Sequence, residues 1–171
     1  MTPTTSSFYV DLDDGKIKLS SDPTLSENRA RPLLTSAIKP GATQSDLMAQ
    51  AKQARQGAAL RQASTLISRR VSTDQRVALM EQQQRINALV SGGTLNEGQT
   101  AAAQTALASI QAIQGWVASV SAAARDLSSA VGQRSTLKEA YQPALIDSTG
   151  LFSAFPSKGV ETALAECALV G

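Results

Sequence analysis

The chain has 171 residues, enough for one domain with arms. Its 16 basic and 14 acidic residues leave a net charge of +2, too balanced and too scattered for a nucleic-acid-binding stripe. With no histidine and a single cysteine, Cys167, it lacks the usual zinc-ligand sets, the commonest general base and any intrachain disulfide.

Aromatic residues make up 4% of the chain, and the 42% hydrophobic fraction leans on alanine. Alanine favours helix but buries little area, so a core made of it depends on close helix approach. This composition predicts a mainly α protein. Long alanine-rich helices are expected to form an antiparallel hairpin or bundle, with a short N-terminal β-hairpin and extended arms. The expected division is an arm over 1–42, helices within 43–140, and a C-terminal apolar loop with a short helix over 141–171.

The opening MTPTTSSFYVDLDDG has neither a basic n-region nor an apolar h-region, so no signal peptide is expected. Phe8, Val10 and Leu12 alternate with polar neighbours. Asp13-Asp14-Gly15-Lys16 carries turn chemistry, and Ile17 and Leu19 resume the alternation. The pattern predicts a β-hairpin over 8–19. Two strands alone are marginal in water, so this apolar face has to cover either the chain's own helices or a neighbouring subunit. The three aspartates do not meet the spacing of a calcium loop. Pro23, Pro32, Pro40 and Gly41 then mark 20–42 as a connector.

A first long helix is expected over 44–70, with Thr43 as N-cap and Asp46 in its first turn. Its apolar face reads Leu47, Met48, Ala51, Ala54, Ala58, Leu60, Ala63 and Ile67. A second is expected over 73–91, opened by Ser72-x-x-Gln75 and carrying Val77, Leu79, Met80, Ile86, Leu89 and Val90. Gly92-Gly93 ends it, with a glycine in the left-handed conformation. An Asn96-x-x-Gln99 capping box then opens a third helix over 97–132. So short a loop predicts antiparallel neighbours, with Ile86, Leu89 and Val77 facing the third helix.

In that third helix Ile110, Ile113, Val117, Val120, Ala124, Leu127 and Val131 are spaced alternately by three and four, the seam of a packed heptad helix. The flanking positions are small or neutral (Gln114, Ser121, Ser128, Ala123, Ala130), which points to neighbours on more than one side. Residues 98–124 carry no charge. Their many Gln, Ser and Thr side chains still argue for a buried helix of a soluble protein rather than a membrane span. Trp116, the only tryptophan, reads as either core or contact residue.

Tyr141-Gln142-Pro143 stops helical periodicity. Leu145, Ile146, Leu151, Phe152 and Phe155 make 143–159 too apolar for a free linker, so they are expected to be buried on this chain or on a partner. A short helix over about 160–169 follows. No glycine-rich phosphate loop, G-x-S-x-G elbow or helix-spaced acidic motif occurs, and Ser and Lys are spread without a pattern that singles out a pair. Neither catalysis, nor a cofactor, a metal or a small-molecule substrate is expected.

The segment Ile86–Leu127, INALVSGGTLNEGQTAAAQTALASIQAIQGWVASVSAAARDL, resembles helical segments of short tailed-bacteriophage proteins found near tail-fibre and baseplate components. There an alanine-rich second helix of a hairpin carries a pattern similar to Ile110-x-x-Ile113-x-x-Trp116-Val117-x-x-Val120. The resemblance implies a virion structural protein of the tail, assembled in the host cytoplasm. Its partners would be other tail or fibre proteins and copies of itself, with no nucleic acid and no membrane. A tail-fibre assembly chaperone and a cellular helical adaptor are the alternatives. On this reading Phe8, Val10, Leu12, Ile17, Trp116, Leu151, Phe152 and Phe155 are candidate protein contacts. Ile86, Leu89, Ile110, Ile113, Val117, Val120, Leu127 and Val131 are candidates for helix packing.

Overall fold

The structure, a computed structural model, describes residues 43–170 throughout and, as backbone alone, the segments 7–11, 17–20 and 29–30. These three segments are β1 (Ser7–Asp11), β2 (Ile17–Ser20) and β3 (Arg29–Ala30), paired antiparallel in the order β2-β1-β3. Leu12 and the turn expected at 13–16 lie outside the described residues, as do the side chains of Phe8, Val10 and Ile17.

The described residues are mainly helical. The helices are α1 (Gln44–Ser68), α2 (Thr73–Ser91), α3 (Glu97–Gly132), α4 (Leu137–Tyr141), α5 (Ser148–Ser153) and α6 (Gly159–Ala168). The starts of the long helices are set by local capping chemistry. Before α1, the Thr43 hydroxyl accepts from the Asp46 amide, and the Asp46 carboxylate accepts from the Thr43 amide at 2.8 Å. Ser72 and Gln75 form a full capping box at α2, and Asn96 and Gln99 exchange the same pair of bonds at α3. Each box satisfies amides that no helical carbonyl can reach. Between α2 and α3, Gly92 stays right-handed and Gly93 takes the left-handed conformation at φ +64°.

The chain divides into two compact units, 1–60 with 125–145, and 61–124 with 146–171. In the first, Leu47 and Ala51 of α1 form a core with Leu137, Ala140 and Tyr141 of α4, with Met48 packed against it. Three side chains of α1 tie off helix ends there. Lys52 Nζ donates to the Gly132 carbonyl at 2.8 Å, Gln56 to that of Ser128 at 3.1 Å, and Arg55 to that of Tyr141 at 2.6 Å. Cations on terminal carbonyls suit the negative end of a helix. The short α4, where the sequence pattern only faded, carries its own capping box of Thr136 and Glu139. Amide donation from Ser135 and Thr136 holds the Glu139 carboxyl below its usual range.

In the second unit, α2 packs on α6, and Gln83 of α2 meets Gln114 of α3 at 2.8 Å. The buried line of α3 there is Ala103, Ala106, Ile110, Ile113, Trp116, Val120 and Ala124. Across the two units five expected apolar positions are exposed instead: Leu60, Val77, Met80, Val90 and Leu145. Val77 is 43% exposed, because α2 buries Leu79 and Ile86 and Val77 lies about 200° round the helix from Leu79. Leu60 is exposed beside fully buried Ala59, which lies on the every-fourth-residue row of Leu47, Ala51 and Ala63. Leu145 is 69% exposed because the extended segment alternates, burying Ala144 and Ile146 instead.

Two glycines make a test of opposite sign. Gly115 lies inside α3 with open space where a Cβ would go, so Gly115→Ala should stabilise the protein by about 0.5–1 kcal/mol. Gly93→Ala forces a side chain into the left-handed region and should destabilise by about 1 kcal/mol. Urea denaturation midpoints of the two variants should move in opposite directions.

Candidate functional site

Within the second unit Trp116 joins α3 to α5 and the segment after it. The long charge-free run of α3 carries this residue into the interior, where it is 4% exposed. A buried indole N–H needs an acceptor. It donates to the Leu151 carbonyl of α5 at 2.6 Å. Phe155 stands edge-on to the indole, with ring centroids 4.8 Å apart and an interplanar angle of 86°. The Arg70 guanidinium sits over Phe152 at 4.9 Å and over Phe155 at 5.4 Å. Leu151, Phe152 and Phe155 are all half-buried.

Further ties hold the C-terminal segment along its length. The Gln62 amide reads the Ile146 backbone in both directions, accepting from its N–H at 2.8 Å and donating to its carbonyl at 3.2 Å. Arg85 donates to the Cys167 carbonyl near the end of α6 at 2.9 Å. Between them, Glu166 of α6 accepts from the Ser109 hydroxyl of α3 and from Lys158 Nζ at 2.7 Å. Lys158, then Ser109, holds the Glu166 carboxyl below its usual range. Ser109 and Lys158 border an open cleft of ≈ 480 Å³ floored by Ala108, Ala112 and Ile113. The Cys167 thiol is buried, its S–H turned to the Ala163 carbonyl, and burial pushes its pKa up, away from reactive thiolate.

A second, smaller concavity lies between α2 and α3. Val71, Leu79, Ile113 and Val117 form its apolar floor, with Arg76, Met80 and Gln114 at its edges, around ≈ 230 Å³. Met80 is 51% exposed there.

Of the contact candidates, Trp116, Leu151 and Phe155 are brought together by this chain's own fold, and Phe152 meets Arg70. Phe8, Val10, Leu12 and Ile17 fall outside the described side chains. Of the packing candidates, Ile86, Ile110, Ile113, Val120 and Val131 are buried, while Leu89, Val117 and Leu127 are half-buried. The sequence reading missed Gln62, Arg70, Arg85, Ser109 and Glu166. All five act on backbone groups, aromatic faces or a hydroxyl–carboxylate pair that no local pattern announces. Gln62 in a weakly apolar helix was the nearest to a signal.

Among the described residues no group of three or more His, Cys, Asp or Glu side chains could hold a metal ion. No described helix is long and apolar enough to cross a membrane. No protein-family model, curated protein or solved structure matches the chain.

Two measurements probe this site. Phe155→Ala should lower stability by about 2 kcal/mol, roughly half the loss at a fully buried phenylalanine. It should also red-shift the emission of Trp116 while far-UV circular dichroism keeps the long helices. The Glu166 carboxyl has a lowered folded-state pKa, so its contribution is present above the ordinary unfolded glutamate value and is lost as pH falls through the folded value. Glu166→Gln should therefore show a smaller drop in urea midpoint between pH 7 and pH 3 than the parent chain.

Proposed function

We propose that this chain is a non-enzymatic structural protein that packs its helices and arms against neighbouring subunits. The setting is the one implied by the resemblance over Ile86–Leu127, the tail of a bacteriophage virion, at its baseplate or fibre-attachment region. It would be assembled in the host cytoplasm with other tail or fibre proteins and further copies of itself.

The observation that carries this reading lies on α2. Leu79 and Ile86 are buried within the chain, while Val77, Met80 and Val90 stay about half exposed. Gln62, Arg85, Ser109, Trp116 and Glu166 of the same unit are engaged in ties between segments of the chain, which supports a packing role. Exposed apolar side chains grouped on one helix support a protein contact there.

Within this proposal α2 and α3 form an antiparallel hairpin, supported by the short Gly92–Asn96 connection and by the Gln83–Gln114 bond. The heptad seam of α3 is its packing line. The N-terminal arm is a β-hairpin, supported by backbone pairing of Phe8 with Leu19 and Val10 with Ile17. Folding and assembly are then coupled, because arm residues such as Phe8 and Val10 lose water only against a partner.

Mass spectrometry of purified virions from the phage that encodes the chain tests the reading. The chain should be present at a fixed ratio to the major tail protein. Its presence in infected lysate but absence from particles would overturn a structural role in favour of an assembly chaperone.

A further inference from the structure

We propose that Arg55 of α1 and Arg134, in the turn between α3 and α4, form a preformed binding site for an oxyanion of the phosphate class. The site lies wholly within the first unit, so it stands or falls independently of the packing role proposed for α2.

Backbone geometry brings the two guanidiniums together. Arg55 Nη2 donates to the Tyr141 carbonyl at 2.6 Å, and Arg134 Nη1 donates to the carbonyl of the next residue, Gln142, at 2.8 Å. A further bond from Arg134 Nη1, to the Glu139 carbonyl at 2.8 Å, fixes that side chain. Two like charges are thus pinned to neighbouring peptide groups at the end of the five-residue α4. Its carbonyls cannot balance them, because even a long helix presents only about half an elementary charge at its end. Lys52, one turn back along α1 and held on the Gly132 carbonyl, adds a third positive charge on the same helix face.

No carboxylate answers these cations among the described residues. Glu139 is the nearest in sequence, but its carboxylate accepts from the Ser135 and Thr136 amides at 3.1 Å each. Burial and then the charge of Arg134 disfavour the Arg55 cation. The group that favours it is Tyr141, a phenol whose own pKa is raised by burial, so it is uncharged at neutral pH. Arg55 Nε is buried with no acceptor among the described residues. A desolvated guanidinium without a counter-charge is costly, and an anion relieves that cost. Arg55 Nη1 and the Nε and Nη2 of Arg134 are the donors that remain once the carbonyls are served. Two charged donor edges suit a tetrahedral dianion, which offers an oxygen to each and cancels both charges. A single carboxylate leaves one positive charge over.

Urea denaturation of the full-length chain, with inorganic phosphate replacing chloride at constant ionic strength, tests this. The midpoint should rise with phosphate over a range on the order of 1 mM, as expected for a weak ligand of the folded state alone. Arg134→Gln should weaken the apparent affinity at least about tenfold. The readout is the change on adding phosphate, so any lower midpoint of that variant in chloride is cancelled. Arg76→Gln, at an exposed arginine of the second unit, should keep the full rise. A wild-type midpoint that does not move at about 50 mM phosphate overturns the proposal. So does an equal rise in Arg134→Gln, or loss of the rise in Arg76→Gln, which would place the anion elsewhere. A rise as large with acetate at the same ionic strength overturns the assignment to phosphate chemistry in favour of a carboxylate.

Discussion

Small side chains set the terms on which these helices meet. Ala103, Ala106 and Ala124 of α3, Ala63 of α1 and Ala163 of α6 are all buried in the second unit. Burying a methyl group contributes about 0.8 kcal/mol, against roughly 2–3 for a whole isoleucine. A core with so much alanine gains less from each residue than one of leucine and phenylalanine. Side chains that reach main-chain carbonyls of other segments add to it, as Gln62, Arg85 and Trp116 do. Bulk comes from Leu79, Ile86, Ile110, Ile113 and Trp116, all buried in the same unit.

This constraint also separates what the sequence disclosed from what it hid. Helix starts were legible at Thr43, Ser72 and Asn96 because a cap is a contact between residues three apart. The mainly helical class was legible in the alanine-rich periodicity. Side-chain direction was less so. Ala59 rather than Leu60 is buried, since position on the helix outranks hydrophobicity when the neighbour is near. Leu145 and Ile146 could not be told apart without knowing the local extended backbone. The short α5 rests on Asp147, whose carboxylate accepts from the Thr149 and Gly150 amides, a capping signal the sequence reading passed over. Trp116, Leu151 and Phe155 were each singled out, but nothing in their spacing showed that they touch one another.

Electrostatics divides the chain into engaged and available charge. In the first unit Lys52, Arg55 and Arg134 all end on backbone carbonyls. Burial lowers the Arg55 pKa, with the charge of Arg134 adding to it, and the Arg55 Nε is buried without an acceptor among the described residues. That arginine is held at a cost and is part of the helix-end packing. The exposed arginines of the α1–α2 corner are different. Arg70 rests on two phenylalanine rings, and Arg61, Arg69 and Arg76 lie exposed on the surface.

The backbone acceptors have an evolutionary corollary. Six inter-segment ties run from a side chain to a main-chain carbonyl: those of Gly132, Ser128, Tyr141, Ile146, Leu151 and Cys167. Any amino acid at those six positions presents the same oxygen. Substitution on the acceptor side therefore leaves the hydrogen bond in place, so long as the local backbone keeps its path. Substitution of Lys52, Arg55, Gln56, Gln62, Arg85 or Trp116 removes it. Drift in such a protein is one-sided. For these hydrogen bonds alone, selection would act on the donor side, and paired changes between donor and acceptor would carry no record of the contact.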